Sequence, residues 1–218
     1  GYPLVERQLC LIDCDLAGGG LTRRLVKSLE PGDPRAEKAG LIIDQVEKLE
    51  KILQMMLNYL EPQTVDLQLA SLNMAVTEAV DRLNAGYAGK DFSITLDLDK
   101  SLHELQLDKE KFEQCLVQLL RNAYHRMHHT GEIRVSTKRI GEHAIVSLMF
   151  RVPSISDEDI NDFFYPFTVA YPFKGIDAEG DMFLPICKRI IHSHCGLINV
   201  SREDNDNLWI DISLPLEK

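Results

Sequence analysis

The sequence predicts an α+β chain: an N-terminal antiparallel helical hairpin that dimerises as a four-helix bundle, followed by an α/β sandwich. Three observations carry this. Ile42, Val46, Leu49, Leu53, Met56 and Leu60 are spaced as a heptad seam, which a lone hairpin cannot bury but a second copy can. Alternating strand-like runs follow without strict strand–helix alternation, so one sheet with helices on one face is expected. Between them, Phe112, Leu116, Leu119, Leu120 and Ala123 line one face of a helix opened by Asp108, with Glu110 in its first turn, where the helix dipole favours acid.

Taken in order, residues 4–29 read as helix interrupted at Gly18, Gly19 and Gly20, which cost about 3 kcal/mol relative to alanine in a helix interior. Pro31, Gly32 and Pro34 mark a turn, and Arg35 to Leu60 is the long second helix. Glu61, Pro62 and Gln63 end the hairpin, giving a dimerisation domain at 1–62 and a sandwich domain at 63–218. Leu72 to Leu83 is helical, and Phe92 to Leu98 alternates as a strand. After the Asp108 helix come strands from Glu132 and Ala144, joined around Gly141. A helix from Phe183 to His194 is closed by Gly196, with Pro185 in its first turn, and strands from Leu197 and Leu208 close the sheet.

The net charge of −10 provides no basic surface to displace counterions, so nucleic-acid binding is not expected. No apolar run reaches the ~18 residues of a membrane span in this segment. The five cysteines, Cys10, Cys14, Cys115, Cys187 and Cys195, include no zinc-like double pair, so a reduced cytoplasmic protein is expected. The chain begins with Gly rather than Met, which suggests processing or excision and leaves room for an upstream sensory region.

Several segments, in their order and spacing, resemble the core of a sensor histidine kinase. Val46 to Leu53 with Leu57 to Leu60 resembles the second hairpin helix, and Asp108 to Ala123 resembles the asparagine-bearing helix of the ATP-binding domain. Phe163 to Phe167 resembles the Phe-x-Pro-Phe segment that opens the nucleotide lid, and Leu184 to Ile198 the helix and strand that follow it. The resemblance implies a histidine-kinase ATPase-type sandwich. It also implies that Asn122 and Gln118 occupy the two asparagine positions facing nucleotide and magnesium.

Other positions depart from the family pattern. Phe150, Val152 and Ser154 stand where the resemblance calls for the aspartate and glycines of the first glycine box. Phenylalanine cannot accept the adenine hydrogen bond, a loss of about 1–3 kcal/mol. At the second box, from Ala178 to Pro185, one glycine survives as Gly180, flanked by Glu179 and Asp181, whose carboxylates oppose phosphate; a simple capped helix with Asp181 on its dipole is favoured there. Asp15 takes the phosphoacceptor position, and no histidine precedes His103. An aspartate cannot form the phosphoramidate a histidine kinase passes on.

The implied function is signal transduction by an inactive histidine-kinase-like homodimer. It needs no cofactor, and its expected partner is a response-regulator receiver domain or another histidine kinase. The alternative is a divergent kinase or phosphotransferase that still binds nucleotide or relays phosphate.

Outside these motifs, His125 and His129 are i, i+4 and can share a metal on one helical face. No cysteine or carboxylate follows at ligand spacing, so a surface cluster at the helix end is expected. His192 and His194 are expected on different sides of their helix, Tyr124 in packing, Arg121 on a solvated face, and Asp157 to Asp159 at a polar helix start.

Overall fold

The computed structural model describes residues 20, 22, 24–29, 33–60, 64–87, 91–153, 155–165, 179–203 and 206–216, with backbone only at 48–60 and 179–182. The chain divides into two compact units, Gly1–Glu61 and Pro62–Lys218. In the first, α1 is helical at 24–28, and α2 spans Pro34–Leu60. Pro34 sits at the first helical position, where its missing N–H costs nothing. Asp33 precedes it and accepts from the Arg35 backbone N–H at 2.8 Å and from its guanidinium at 2.6–3.1 Å. That pairing holds the Asp33 carboxyl below its ordinary range. Ile42 of the expected seam is 53% exposed and Val46 is half-buried. The side chains of Leu49, Leu53, Met56 and Leu60 lie outside the described residues, as do Asp15, Gly18 and Gly19.

The second unit is built on a five-stranded mixed sheet, ordered β2 (Phe92–Leu98), β4 (Gly131–Ile140), β5 (His143–Arg151), β7 (Asn207–Pro215) and β6 (Leu197–Glu203). Only β2–β4 is parallel; the other three pairings are antiparallel. The period-2 pattern decides the faces. Ile133, Val135, Val146, Leu148, Phe150, Leu208, Ile210 and Ile212 point into one core with the apolar stripes of α3 (Leu72–Gly86), α4 (Lys109–Arg126) and α6 (Glu179–Ser193). The fold is α+β with helices against one sheet face, as the strand and helix periods implied.

Two short strands escaped the sequence reading. β1 (Gln68–Ala70) pairs antiparallel with β3 (Leu105–Leu107) as a separate two-stranded sheet. At three residues each, they are too short to show alternation.

The helix at 183–194 needs two corrections. It starts at Glu179, so Pro185 lies inside α6 rather than in its first turn. Gly196 does not supply the left-handed closing residue either, because Cys195 does, at φ 59°. The Gly196 N–H reaches back to the Ile191 carbonyl at 2.9 Å and closes the end. Glycine is required at 196 by proximity: a Cβ there would lie 2.6 Å from the Ser213 carbonyl oxygen and 2.8 Å from Leu214 Cδ2.

Asp108 and His194 join three elements. Asp108 caps α4 by accepting from the Lys111 N–H at 3.1 Å, and its second oxygen accepts from the Asp66 N–H at 3.0 Å. Its own N–H donates to His194 Nε2 at 3.0 Å, and His194 Nδ1 lies 2.8 Å from the Ile190 carbonyl. The carbonyl must accept, so Nδ1 carries the proton and Nε2 the lone pair. His194 lies just past the end of α6 and is buried, whereas His192 in the last turn is exposed.

Candidate functional site

Helix α4 forms because its apolar residues recur on one stripe. Phe112, Leu116, Leu119, Leu120 and Ala123 are all buried, and they fix where the polar residues between them project. Gln118, Arg121 and Asn122 fall at i, i+3 and i+4, on one side of the helix. Asn122 is 4% exposed, and its Oδ1 accepts from Arg126 Nε, one turn on, at 2.8 Å. The Arg126 guanidinium also lies over the Phe163 ring, 4.4 Å from its centroid. Gln118 Oε1 and Arg121 Nε are buried without a hydrogen-bond partner among the described residues. Arg121 is therefore half-buried rather than on the solvated face expected of it.

The segment at the first glycine box is apolar and tied down. Phe150 is fully buried near the end of β5, in register with Ile133 on one side and Leu208 on the other. Val152 and Ile155 join the same core. The Val152 N–H donates to the Asp206 carbonyl at 2.7 Å, and Arg202 donates to the Ile155 carbonyl at 2.7 Å and to Asp157 at 2.6 Å. Ser154 lies outside the described residues. A capping box between Ser156 and Asp159 opens α5 (Asp157–Asn161), so the acidic run there is a helix start.

Phe163 and Phe164 are buried against this core, while Tyr165 is exposed; Pro166, Phe167 and Ala178 lie outside the described residues. Glu179 to Met182 are helical, so Gly180 sits inside α6 rather than in a loop that wraps phosphate. These residues do not match the donor set a magnesium nucleotide requires. Phe150 has no hydrogen-bond acceptor in its side chain, and Asn122 Oδ1, which the resemblance sets toward the metal, already holds a guanidinium.

The histidines at the end of α4 are arranged differently from the expected helical pair. The helix ends at Arg126, and His128 and His129 are left-handed at φ 54° and 72°. The chain nonetheless turns back, leaving His125 Nδ1 3.0 Å from His129 Nε2. The His129 ring stacks on Tyr124 at 4.9 Å and 29°, and Tyr124 is wedged between Tyr87 and Phe92 at 4.5 and 4.9 Å. A helical wheel cannot show this, because it rests on the turn rather than on the helix.

No family model matches the chain. Sensor histidine kinase ZraS of Salmonella typhimurium (strain LT2) is 22% identical over 198 residues, covering 90% of this chain and 42% of that protein. The chain thus spans under half the length of that relative. A nucleotide-free catalytic domain of histidine kinase ThkA superposes with a TM-score of 0.60 at 19% identity, covering 70% of this chain and 97% of that domain. ThkA in complex with the response regulator protein TrrA gives a TM-score of 0.66 at 20% identity, covering 99% of this chain and 61% of that one. The chain is homologous to sensor histidine kinases along most of its length, and its mixed sheet with helices is that of their ATPase domain.

Proposed function

We propose that this chain is a catalytically inactive histidine-kinase-like protein that works in two-component signalling by protein contact. The observation that carries this reading is Phe150, buried in register between Ile133 and Leu208 where the resembled site needs an adenine-binding carboxylate. Asp15 at the phosphoacceptor position supports it from the sequence. The partner is a response-regulator receiver domain or a sensor kinase, docked on the hairpin of a cytoplasmic homodimer. ThkA, a structural neighbour, has been solved with its response regulator, which supports the choice of partner class.

The test has two arms. Calorimetric titration with ATP and magnesium is expected to show no binding tighter than about 100 μM, equivalent to about 5.5 kcal/mol. Tighter binding that Asn122→Ala abolishes would overturn the inactive reading. In the second arm, a receiver domain from the same cell is captured by the intact chain, and reversal of exposed Arg24 to Glu weakens capture with little effect on folding. Phosphate transfer from the purified protein would restore the enzyme reading.

A second reading has one observation in its favour. Gln118 Oε1 and Arg121 Nε, on the Asn122 side of α4, are buried without partners among the described residues, and such groups normally find one. A divergent kinase or phosphotransferase that still places a nucleotide there would supply it, and the ATP titration separates the two.

A further inference from the structure

We propose that His125 and His129 form a binding site for one divalent transition-metal ion of the Ni²⁺ or Cu²⁺ class. The carrying observation is the 3.0 Å separation of His125 Nδ1 and His129 Nε2. Metal–imidazole bonds of about 2.0–2.1 Å from two nitrogens at that separation meet at roughly 95°. That is the angle between adjacent ligands in tetragonal or octahedral coordination, which Ni²⁺ and Cu²⁺ adopt. Tetrahedral zinc would need the nitrogens about 3.3–3.4 Å apart.

The convergence is built into the turn before any ion arrives. His128 and His129 both hold left-handed backbone, at φ 54° and 72°, a conformation non-glycine residues seldom adopt. It is secured by the His128 N–H to the His125 carbonyl at 3.0 Å and the His129 N–H to the Tyr124 carbonyl at 3.1 Å. The His129 ring is further fixed by stacking on Tyr124, which is buried. Two ligands already held 3.0 Å apart lose little freedom on binding, which favours affinity.

The proton balance closes. Without metal, one of the facing nitrogens donates to the other. On binding, that proton leaves the facing position for solvent or for the other nitrogen of its ring, so both facing lone pairs go to the ion. No third histidine, cysteine or carboxylate joins the pair among the described residues, so water fills the other coordination positions. His129 is exposed and His125 partly so, which leaves room for that water.

The experiment is calorimetric titration of the full chain with Ni²⁺, alongside His125→Gln, His129→Asn and, as control, His192→Asn. Asparagine tolerates left-handed backbone, so His129→Asn keeps the turn and removes only the imidazole. We expect one ion per chain with Kd of about 10–100 μM, at least about tenfold weaker binding in each of the first two variants, and no change in the control. Paramagnetic broadening of the His125 and His129 ring signals in the unaltered protein gives an independent readout should a variant fold poorly. Absence of binding at about 1 mM Ni²⁺, or binding undiminished in either His125→Gln or His129→Asn, overturns the site. So does broadening confined to other histidines.

Discussion

Replacing Phe150 with the aspartate that the resembled site calls for should cost stability and gain no nucleotide affinity. Phe150 is fully buried, with Ile133 and Leu208 in register beside it and Val152 and Ile155 in the same core. Truncating a buried phenylalanine costs about 3–5 kcal/mol. An unpaired buried polar group adds about 1–3 kcal/mol, so the total is about 4–8 kcal/mol against a whole-domain stability of about 5–15 kcal/mol. Urea denaturation followed by Trp209 fluorescence measures it, since Trp209 is the one tryptophan and lies on β7 next to Leu208. Phe150→Leu should lose less than about 1.5 kcal/mol and Phe150→Ala about 3–5. Burial raises the pKa of the introduced carboxyl above its unfolded value, so the penalty of Phe150→Asp is least below about pH 4 and grows as pH rises through the folded pKa. A Phe150→Asp protein within about 1 kcal/mol of the parent at neutral pH, and newly able to bind ATP with magnesium, would refute the reasoning. Position 150 would then be the mouth of a working site rather than part of a core.

Three further outcomes follow from other contacts. Gly196→Ala places a Cβ 2.6 Å from the Ser213 carbonyl oxygen, a backbone atom with little freedom to yield, so a loss of about 1–3 kcal/mol is expected in urea denaturation. Asp99 accepts from the Ser101 hydroxyl and N–H and from the Arg139 N–H, which lowers its pKa. Its contribution is therefore present above the unfolded carboxyl value and lost as pH falls through the folded one; Asp99→Asn should be less stable at neutral pH and show a flatter acid limb. Leu49→Glu with Leu53→Glu, on the predicted heptad seam, should give monomers or insoluble protein, because the charges would be buried unpaired. A dimer that persists by light scattering would place the seam elsewhere.

What could be read from the sequence depended on the length of the pattern. Helix α4 was legible because five apolar residues and a capping Asp108 repeat one instruction over its length, and the structure buries all five. The long strands β4, β5 and β7 were legible for the same reason at period 2. The β1–β3 pair was not, because three residues do not establish a period. The start of α6 was misjudged because Pro185 reads as a first-turn residue, yet the helix carries it in its interior. The His125–His129 contact was anticipated as a pair but assigned to the wrong geometry, since two consecutive left-handed residues are tertiary choices that local propensity disfavours. The burial of Gln118 Oε1 and Arg121 Nε was out of reach, because periodicity assigns faces and does not decide whether a polar atom on one finds a partner.

Arg126 ties the polar side of α4 to a neighbouring segment. Its Nε bonds Asn122 Oδ1 at 2.8 Å, and its guanidinium rests on Phe163 at 4.4 Å, linking the end of α4 to the segment after α5. A magnesium ion on that oxygen would sit within a few ångströms of a fixed positive charge. Near a protein surface, two unit charges about 4 Å apart repel by about 4 kcal/mol, and a divalent ion feels about twice that. The opposite stripe of α4, from Phe112 to Ala123, is held by the core whatever the polar side does. The two faces of one helix are thus under different constraints: the apolar one is fixed by packing against the sheet, and the polar one, if the proposed function holds, exchanges a metal ligand for a structural bond. On the proposed reading, that exchange leaves the shape a partner domain recognises intact while removing the reaction it once accompanied.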